Sequence, residues 1–520
     1  MNGTESLKKT WFKVFILIAA ILVFRSVIFP VVSWKADEFF YLTGAREINA
    51  GRVLYTDFAD VKPVGIFYIY ALVDKLAGGN LQTDFLMLRL FSVVAVFLVS
   101  LMLWLIGKTL YNERAGYMAA LFFALYSTCV RGSEVLAANT ELFSTLFMTA
   151  SLCFYCRGRF RLGYADLLPA AVLLSCAFLV NSRCGIVVLA YVACLFIFSE
   201  NKMGALLKTL ASAVAFLLPI GLVIAYYWHI GHLDDYINWQ FVFTKYYVGA
   251  YSFFMRIFRG VLVYRFFAGL LPLLFFAIYL FFAGAADTGE CGSKKCGRFG
   301  QEGLFLLILL GTLWLSAFSG GKHVERYYFQ MFIPLALMAG AGLDRFMSIH
   351  RGFAVKSLIV FMLLSSPVIF LHMNLISLWL DKEPMTYQAF MDERKEAVDF
   401  IQKNSSPDDS ILVWPFGDLF YCASERRLAT PIYDPSGHLL GGKYLNTKER
   451  VDQFYGMFFD HLEASKPAVI VDSTKGFGTE GSDINQYMVP YLEKLRKYVS
   501  TNYDPAEKAG KYTVYKRKNG

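Results

Sequence analysis

Apolar runs of about 20 residues, the length that crosses a bilayer, recur from Trp11 to Ile376 and then stop. They lie near 12–32, 86–106, 116–130, 140–156, 165–180, 184–199, 209–229, 261–283, 303–319, 327–343 and 357–378. That is about eleven spanning helices, with the runs at 116–130 and 184–199 the shortest. A chain with this pattern folds in lipid. Composition agrees: only 18% of its residues are charged and 56% are hydrophobic, where a soluble protein carries about a quarter charged residues.

Lysine and arginine orient the spans. With the N-terminus (Lys8, Lys9, Lys13) cytoplasmic, alternate loops carry Lys108 and Arg114, then Arg157, Arg159 and Arg161, then Lys202 and Lys208. Lys294, Lys295 and Arg298 follow, then Arg345, Arg351 and Lys356. The opposite short loops hold only Arg131, Arg183, Lys322 and Arg326, as the positive-inside rule requires. The two exceptions, 33–85 and 230–260, are long segments on which the rule acts weakly. An odd number of spans then leaves the tail outside, in a multi-pass protein of the plasma (inner) membrane. The net charge of +9 is this loop bias plus contact with anionic headgroups; it calls for membrane lipids and no nucleic acid. No cleavable signal is expected, since the first run lacks a small-residue cleavage site and more spans follow. Of nine cysteines only Cys422 lies in the tail, so no disulfide forms within it. Cys291 and Cys296 flank Lys294-Lys295, a spacing without the further ligands that a zinc site needs.

The predicted fold is therefore an α-helical polytopic membrane protein with a small C-terminal α/β soluble domain. Residues 1–380 form the membrane domain and 381–520 the extracytoplasmic domain. Within the first long segment, 37–50 reads as an amphipathic helix closed by Gly51, and 65–77 as a second helix behind Lys62-Pro63. Phe39, Phe40, Tyr41, Tyr55, Phe58, Phe67, Tyr68 and Tyr70 crowd these pieces. Aromatic residues favour the headgroup level, so the two helices are expected along the outer membrane surface. In the tail, 389–403 and 485–499 read as helices, and Ile411–Trp414, Ala468–Asp472 and Tyr512–Lys516 as strands. No repeat, Walker motif or dinucleotide fingerprint is present.

Three places carry residues suited to chemistry. Asp37 and Glu38 follow the first span, with Glu47, Asp57, Asp60 and Lys62 beyond them. A solvated interfacial pair is the bland account of the first two. A carboxylate partly desolvated among aromatic residues, however, gains basicity and accepts a proton from a hydroxyl. The loop between the third and fourth spans holds Glu134, then Asn139-Thr140-Glu141 at a helix start. Capping and the helix dipole explain Asn139 and Glu141 without any function. Glu134 or Glu141 would also complete a site for magnesium or manganese with Asp37, since oxygen ligands suit those ions, although the sequence demands no metal or other cofactor. The loop after the ninth span reads Gly320-Gly321-Lys322-His323-Val324-Glu325-Arg326-Tyr327-Tyr328-Phe329-Gln330. Its cations suit a lipid phosphate, arginine as a fork and lysine as a point charge; snorkelling is the alternative. Arg183 sits in a very short turn, while Arg25 and Arg89 lie inside apolar runs, where they either snorkel or pair with acids of the first outer segment.

The order Asp37-Glu38, then Gly51-x-x-Leu54-Tyr55-x-Asp57-Phe58-x-Asp60-x-Lys62-Pro63, resembles the first outer loop of polyprenyl-phosphate-sugar-dependent glycosyltransferases. These form the GT-C class, which includes dolichyl-phosphate-mannose protein mannosyltransferases and the lipid A aminoarabinose transferase. Arg326-Tyr327-Tyr328-x-Gln330-x-x-x-Pro334 is similar to a late membrane motif of bacterial members. Lys62-Pro63-Val64 departs from the double proline common in the class. The resemblance implies a lipid-linked monosaccharide donor, transfer on the outer face, and inversion at the sugar. It also implies Asp37 as general base beside Glu38, with Lys322, His323 and Arg326 at the donor phosphate. Asp60, Lys62, Glu134, Arg183 and Tyr327 complete the expected substrate-binding set, and Glu141 is the candidate metal ligand. The acceptor is a lipid, a glycan or a protein. The soluble repeats of the protein mannosyltransferases are missing, so protein is not favoured over the others. The alternative is a transporter or flippase of lipid-linked intermediates, which would bring paired broken helices and repeat symmetry. A non-catalytic scaffold would make the acidic cluster dispensable.

Overall fold

The computed structural model describes residues 3–31, 36–129, 134–160, 162–244, 254, 268–286, 300–319, 325–380, 386–417, 419–435, 445, 447–474, 476–477, 486–504 and 507–518. In chain order its helices begin α1 (Gly3–Arg25), α2 (Ala36–Asn49), α3 (Val64–Ala77), α4 (Leu81–Leu110), α5 (Glu113–Tyr126) and α6 (Thr140–Arg157). Next come α7 (Tyr164–Val180), α8 (Val187–Phe198), α9 (Lys202–His229), α10 (Leu233–Ile237), α11 (Leu271–Ala286) and α12 (Gly300–Ser319). The last are α13 (Phe332–Ile349), α14 (Phe353–Trp379), α15 (Tyr387–Lys403), α16 (Phe420–Ser424), α17 (Lys448–Ser465) and α18 (Val489–Asn502).

Every apolar run read from the sequence carries a helix, and the chain is a multi-pass membrane protein. Among the described residues, 6 helices are long and apolar enough to cross a membrane, and three shorter apolar ones accompany them at Tyr164–Val180, Ser182–Phe198 and Leu271–Phe282. The run at 116–130 becomes α5, of 14 residues. At about 1.5 Å per residue it falls short of a bilayer's hydrocarbon core.

The chain divides into two compact units. The first comprises Met1–Pro30, Leu88–Ala225 and Tyr251–Glu383; the second comprises Val31–Met87, Tyr226–Ala250 and Pro384–Gly520. Each has its own core.

In the first unit, helices meet through small residues. A Cβ on Gly340 of α13 would stand 2.5 Å from the Ala115 carbonyl oxygen, and one on Gly116 of α5 would stand 2.3 Å from that of Trp104. Close backbone approach of this kind drives helix packing where lipid supplies no hydrophobic force. The Asn112 side chain caps α5, its Oδ1 accepting from the Arg114 and Ala115 backbone amides, and its Nδ2 donates to the Asp344 carboxylate at 2.8 Å. Arg25 and Arg89 are fully buried. Snorkelling is therefore not their role: Arg25 Nη2 donates to the carbonyls of Val135 at 3.4 Å and Leu136 at 3.3 Å.

The second unit joins the first inter-span segment to the tail. α2 ends at Asn49, followed by Gly51, whose φ of +81° is open to glycine, and α3 starts behind Pro63. The aromatic residues that the sequence assigned to the headgroup level are a protein core instead. Phe39, Phe40, Tyr41, Tyr55, Phe58, Phe67 and Tyr70 are buried. Phe40 meets Tyr433 of the tail edge-on at 5.1 Å, and Phe39 meets Phe390 at 4.9 Å. Ring pairs of this kind add about 0.5–1.5 kcal/mol each beyond buried area, enough to draw the rings inward. Tyr68, Leu72 and Leu76 remain exposed on α3 at helical spacing, one apolar face of the sort a lipid surface takes. Arg46 locks the unit, bonding Asp74 at 3.1 Å, Asp84 at 2.7 Å and the Cys422 carbonyl at 2.9 Å.

The tail sheet contains β1 (Ser410–Trp414), β2 (Arg427–Leu428), β3 (Val469–Asp472), β4 (Glu507–Ala509) and β5 (Tyr512–Lys516), in the order β2-β1-β3-β5-β4. β1 runs parallel to β2 and β3, and β5 runs antiparallel to β3 and β4. Strands β1 and β3 are buried along nearly their whole length, consistent with their continuous apolar sequence. Beside the sheet, α15, α17 and α18 bury Ala397 and Ile401, Phe454 and Phe458, and Leu492 and Leu495. The predicted strands and the α15 helix are present. β2, β4, α16 and α17 are additions, and the last helix starts at Val489. Cys422 is a buried free thiol; Cys291 and Cys296 lie outside the described residues.

Candidate functional site

Each unit carries a polar constellation of its own. In the second unit, Asp37 and Glu38 occupy the first turn of α2, where the helix dipole favours negative charge. Glu38 is fully buried, and Asp37 is partly buried. Downstream, Tyr55 takes a positive φ of 73°, and the chain turns back so that its amide reaches the Phe58 carbonyl at 2.7 Å. Asp57 serves that turn, accepting from the Val53 amide at 2.8 Å. Glu47 pairs with Arg52 at 3.1 Å. Both acids are therefore structural.

Asp60 and Lys62 follow as one motif. Asp60 Oδ1 accepts the Lys62 amide at 2.6 Å, and the Tyr55 hydroxyl donates to the Lys62 carbonyl at 2.8 Å. Burial pushes the Asp60 carboxyl up to about 7, against the pull of Lys62, and the nearby charge of Asp37 pushes the same way. Asp60 thus lies within electrostatic reach of both Asp37 and Lys62. It also adds Gln240, whose side-chain amide donates to the carbonyls of Lys62 at 2.8 Å and Asp60 at 3.3 Å. No sequence signal marked Gln240, because a lone glutamine in a long segment has no pattern.

In the first unit, Arg183 projects from the 3-10 turn Ser182–Ile186, which Asn181 caps by accepting the Arg183 amide at 3.2 Å. Its guanidinium lies 3.2 Å from the centre of the Tyr327 ring, and that of Arg326 lies 5.7 Å from the same ring. Two cations against one aromatic ring make a focused positive site. Arg183 Nη1 is buried and has no hydrogen-bond partner among the described residues. Glu141, in the first turn of α6, faces Arg326 Nε at 3.9 Å and accepts from the Thr140 hydroxyl at 3.1 Å. Gln330 ties the turn down, donating to the Ser144 hydroxyl at 2.9 Å and the Cys184 sulfur at 3.0 Å.

So Arg183, Arg326, Tyr327 and Glu141, far apart in sequence, come together. Asn139 holds the N-cap position of α6, but its side chain does not make the capping bond. Glu141 stands beside a guanidinium, where a divalent cation would meet like charge, so this carboxylate does not fit a metal. Among the described residues no group of three or more His, Cys, Asp or Glu is placed to hold one. Lys322 and His323 lie outside the described residues, as does the Glu134 side chain. The Glu134–Leu136 backbone forms a 3-10 turn.

The comparisons with known proteins fall on this architecture. A sequence model of the dolichyl-phosphate-mannose-protein mannosyltransferase family matches residues 61–228, less than half of the chain. No curated protein sequence matches. Among solved structures, ArnT from Cupriavidus metallidurans bound to undecaprenyl phosphate superposes with a TM-score of 0.60 at 12% identity, over 96% of this chain and 97% of that one. Its apo state gives 0.60 at 14% identity, over 98% of each chain. AglB, the archaeal oligosaccharyltransferase from Archaeoglobus fulgidus, in complex with an inhibitory peptide and a dolichol-phosphate, gives 0.54 at 12% identity. That match spans 98% of this chain and 75% of AglB. The chain thus shares the fold of ArnT and AglB, a fold expected from the first-segment motif.

Proposed function

We propose that this chain is an inverting glycosyltransferase. It moves a monosaccharide from a polyprenyl-phosphate donor to a cell-envelope acceptor on the outer face of the plasma membrane. One observation carries the reading: Arg183 stacked on Tyr327 beside Arg326, with a buried guanidinium nitrogen left without a partner among the described residues. A buried donor of this kind calls for an anion, and a lipid phosphate supplies one. The undecaprenyl phosphate and dolichol-phosphate in the structures of similar fold support the same ligand class.

In this mechanism the polyprenyl tail stays in lipid while its phosphate rests on Arg183, Arg326 and Tyr327, with Lys322 and His323 as further contacts, and Lys62 serves substrate binding without a place on the phosphate. An acceptor hydroxyl or amine gives its proton to Asp37, beside Glu38, and attacks the anomeric carbon. The bond from that carbon to the phosphate oxygen breaks, and its electron pair leaves with polyprenyl phosphate. The cations stabilise that leaving group, as preorganised charge does in water-poor sites. Attack opposite the leaving group inverts the sugar. Asp60 and Glu134 flank the substrates. The scheme uses no cofactor; Mg or Mn enters only as an additive whose removal by chelation leaves transfer unchanged. The orientation belongs to the same proposal, with the N-terminus cytoplasmic and 381–520 extracytoplasmic.

The test is transfer by the full chain in lipid nanodiscs, with radiolabelled undecaprenyl-phosphate sugars and whole-envelope acceptors. Label should move to an acceptor with the wild type, and Asp37→Asn should abolish the reaction while the protein stays folded. Full activity of that variant rejects the base assignment.

A further inference from the structure

We infer that Gln240 is a positioning residue for the Asp60–Lys62 turn, an inference that rests on the proposed role of that turn in substrate binding. Residues 60–62 form neither helix nor ladder, so side chains must hold their carbonyls. The Tyr55 hydroxyl takes one place on that of Lys62, and the segment 232–244 supplies further donors. Gln240 Nε2 donates to the Lys62 carbonyl at 2.8 Å and the Asp60 carbonyl at 3.3 Å. A primary amide nitrogen carries two hydrogens, so one side chain serves both. The Thr244 hydroxyl lies 3.4 Å from the carbonyl between them, Val61, and shares its one hydrogen with the Trp239 carbonyl at 3.2 Å. Upstream, the Thr56 hydroxyl donates to Asp235 at 2.8 Å and lies 3.1 Å from His232 Nδ1.

Three consecutive carbonyls thus face one strap. Fixing them fixes the backbone angles between Asp60 and Lys62, and with them the directions of both side chains. The Asp60 carboxylate is then held on the Lys62 amide at 2.6 Å. Gln240 sits in the π-helical turn Asn238–Phe243, whose wider winding resets side-chain register. Trp239 and Phe243 stack at 4.3 Å in the same turn and fix it from behind.

Two substitutions separate positioning from space filling. Gln240→Ala removes both donors, whereas Gln240→Glu keeps the size and turns an acceptor toward the two carbonyls. Each is made in the full chain in nanodiscs. Hydrogen exchange at the Lys62 amide should speed up about tenfold or more in both, as the loss of about two hydrogen bonds predicts, with the thermal midpoint unchanged. In the transfer assay with undecaprenyl-phosphate sugars, kcat should fall about tenfold in both variants while KM for the donor holds. Wild-type exchange in Gln240→Glu overturns the inference whether or not transfer is seen, and so does faster exchange with an unchanged kcat. A wild-type chain that transfers nothing sinks the proposed function, and the exchange result then decides alone whether Gln240 holds the turn.

Discussion

Asp60 carries a folded-state pKa of about 7, raised chiefly by burial. Its value in the unfolded chain is near 3.8. A carboxyl raised on folding binds its proton more tightly in the native state, so its protonation favours the fold fully below about 4. That contribution is lost as pH rises through about 7. Thermal unfolding of the full chain at pH 5 and pH 8 should therefore show the wild type weaker at pH 8, by up to about 3 kcal/mol from this group, since only the part of the shift above pH 5 falls in that window. Asp60→Asn, which cannot ionise, should remove that part of the difference; an unchanged difference would place the charge elsewhere. Arg183 makes a second prediction at this scale. Loss of a hydrogen-bonded charge pair costs about 1.5–3 kcal/mol, so Arg183→Ala should weaken binding of undecaprenyl phosphate about 10- to 100-fold, measured by titration into nanodiscs. Arg183→Lys should restore part of it, because a lysine keeps the charge but loses the planar stack on Tyr327.

Between helices, the close approaches at Gly116 and Gly340 set what α5 and α13 tolerate. Gly340→Val drives methyl groups into the Ala115 carbonyl and should cost about 1–3 kcal/mol. Gly311 of α12 offers a contrast, since a Cβ there meets nothing within 4 Å. Gly311→Ala should leave the thermal midpoint level or raise it, by about 0.5–1 kcal/mol of helix propensity. Equal effects from the two changes would mean that the glycines are not packing devices. Elements of this kind were the most legible part of the chain. Long apolar runs announce themselves by composition, and Gly51 and Lys62-Pro63 marked the ends of α2 and α3 to within a residue or so. β2 and β4 escaped because two or three residues carry no periodicity. The inward turn of Phe39, Phe40 and Phe58 escaped for a different reason: an aromatic residue that suits a headgroup also suits a core, and only the partner across space, Phe390 or Tyr433, decides between them.

At the scale of the molecule, the tail is half of a shared core. The Ala59 amide donates to the Pro431 carbonyl at 2.8 Å, and Arg46 reaches the Cys422 carbonyl. A chain cut after residue 380 would bare the rings of α2 and the 55–62 motif. It should lose its single symmetric peak in detergent size-exclusion chromatography, whereas an independent appendage would leave that peak intact. The candidate site was legible in the same uneven way. Asp37, Asp60 and Lys62 could be read together because they share one stretch of sequence. The convergence of Arg183 on Tyr327 joins residues from separate spans, and the service of Gln240 to Asp60 crosses between two long segments, so neither has a local signature. The shared core also sets a schedule for biosynthesis. Residues 31–87 leave the ribosome some three hundred residues ahead of 384–520, and most of the spans are made in that interval. The first segment must therefore wait with its aromatic face unclosed until translation is nearly over, and contacts so remote in sequence form slowly. Its guardian during that wait, whether a chaperone or the lipid surface itself, acts on a chain that is already threaded into the membrane but not yet folded.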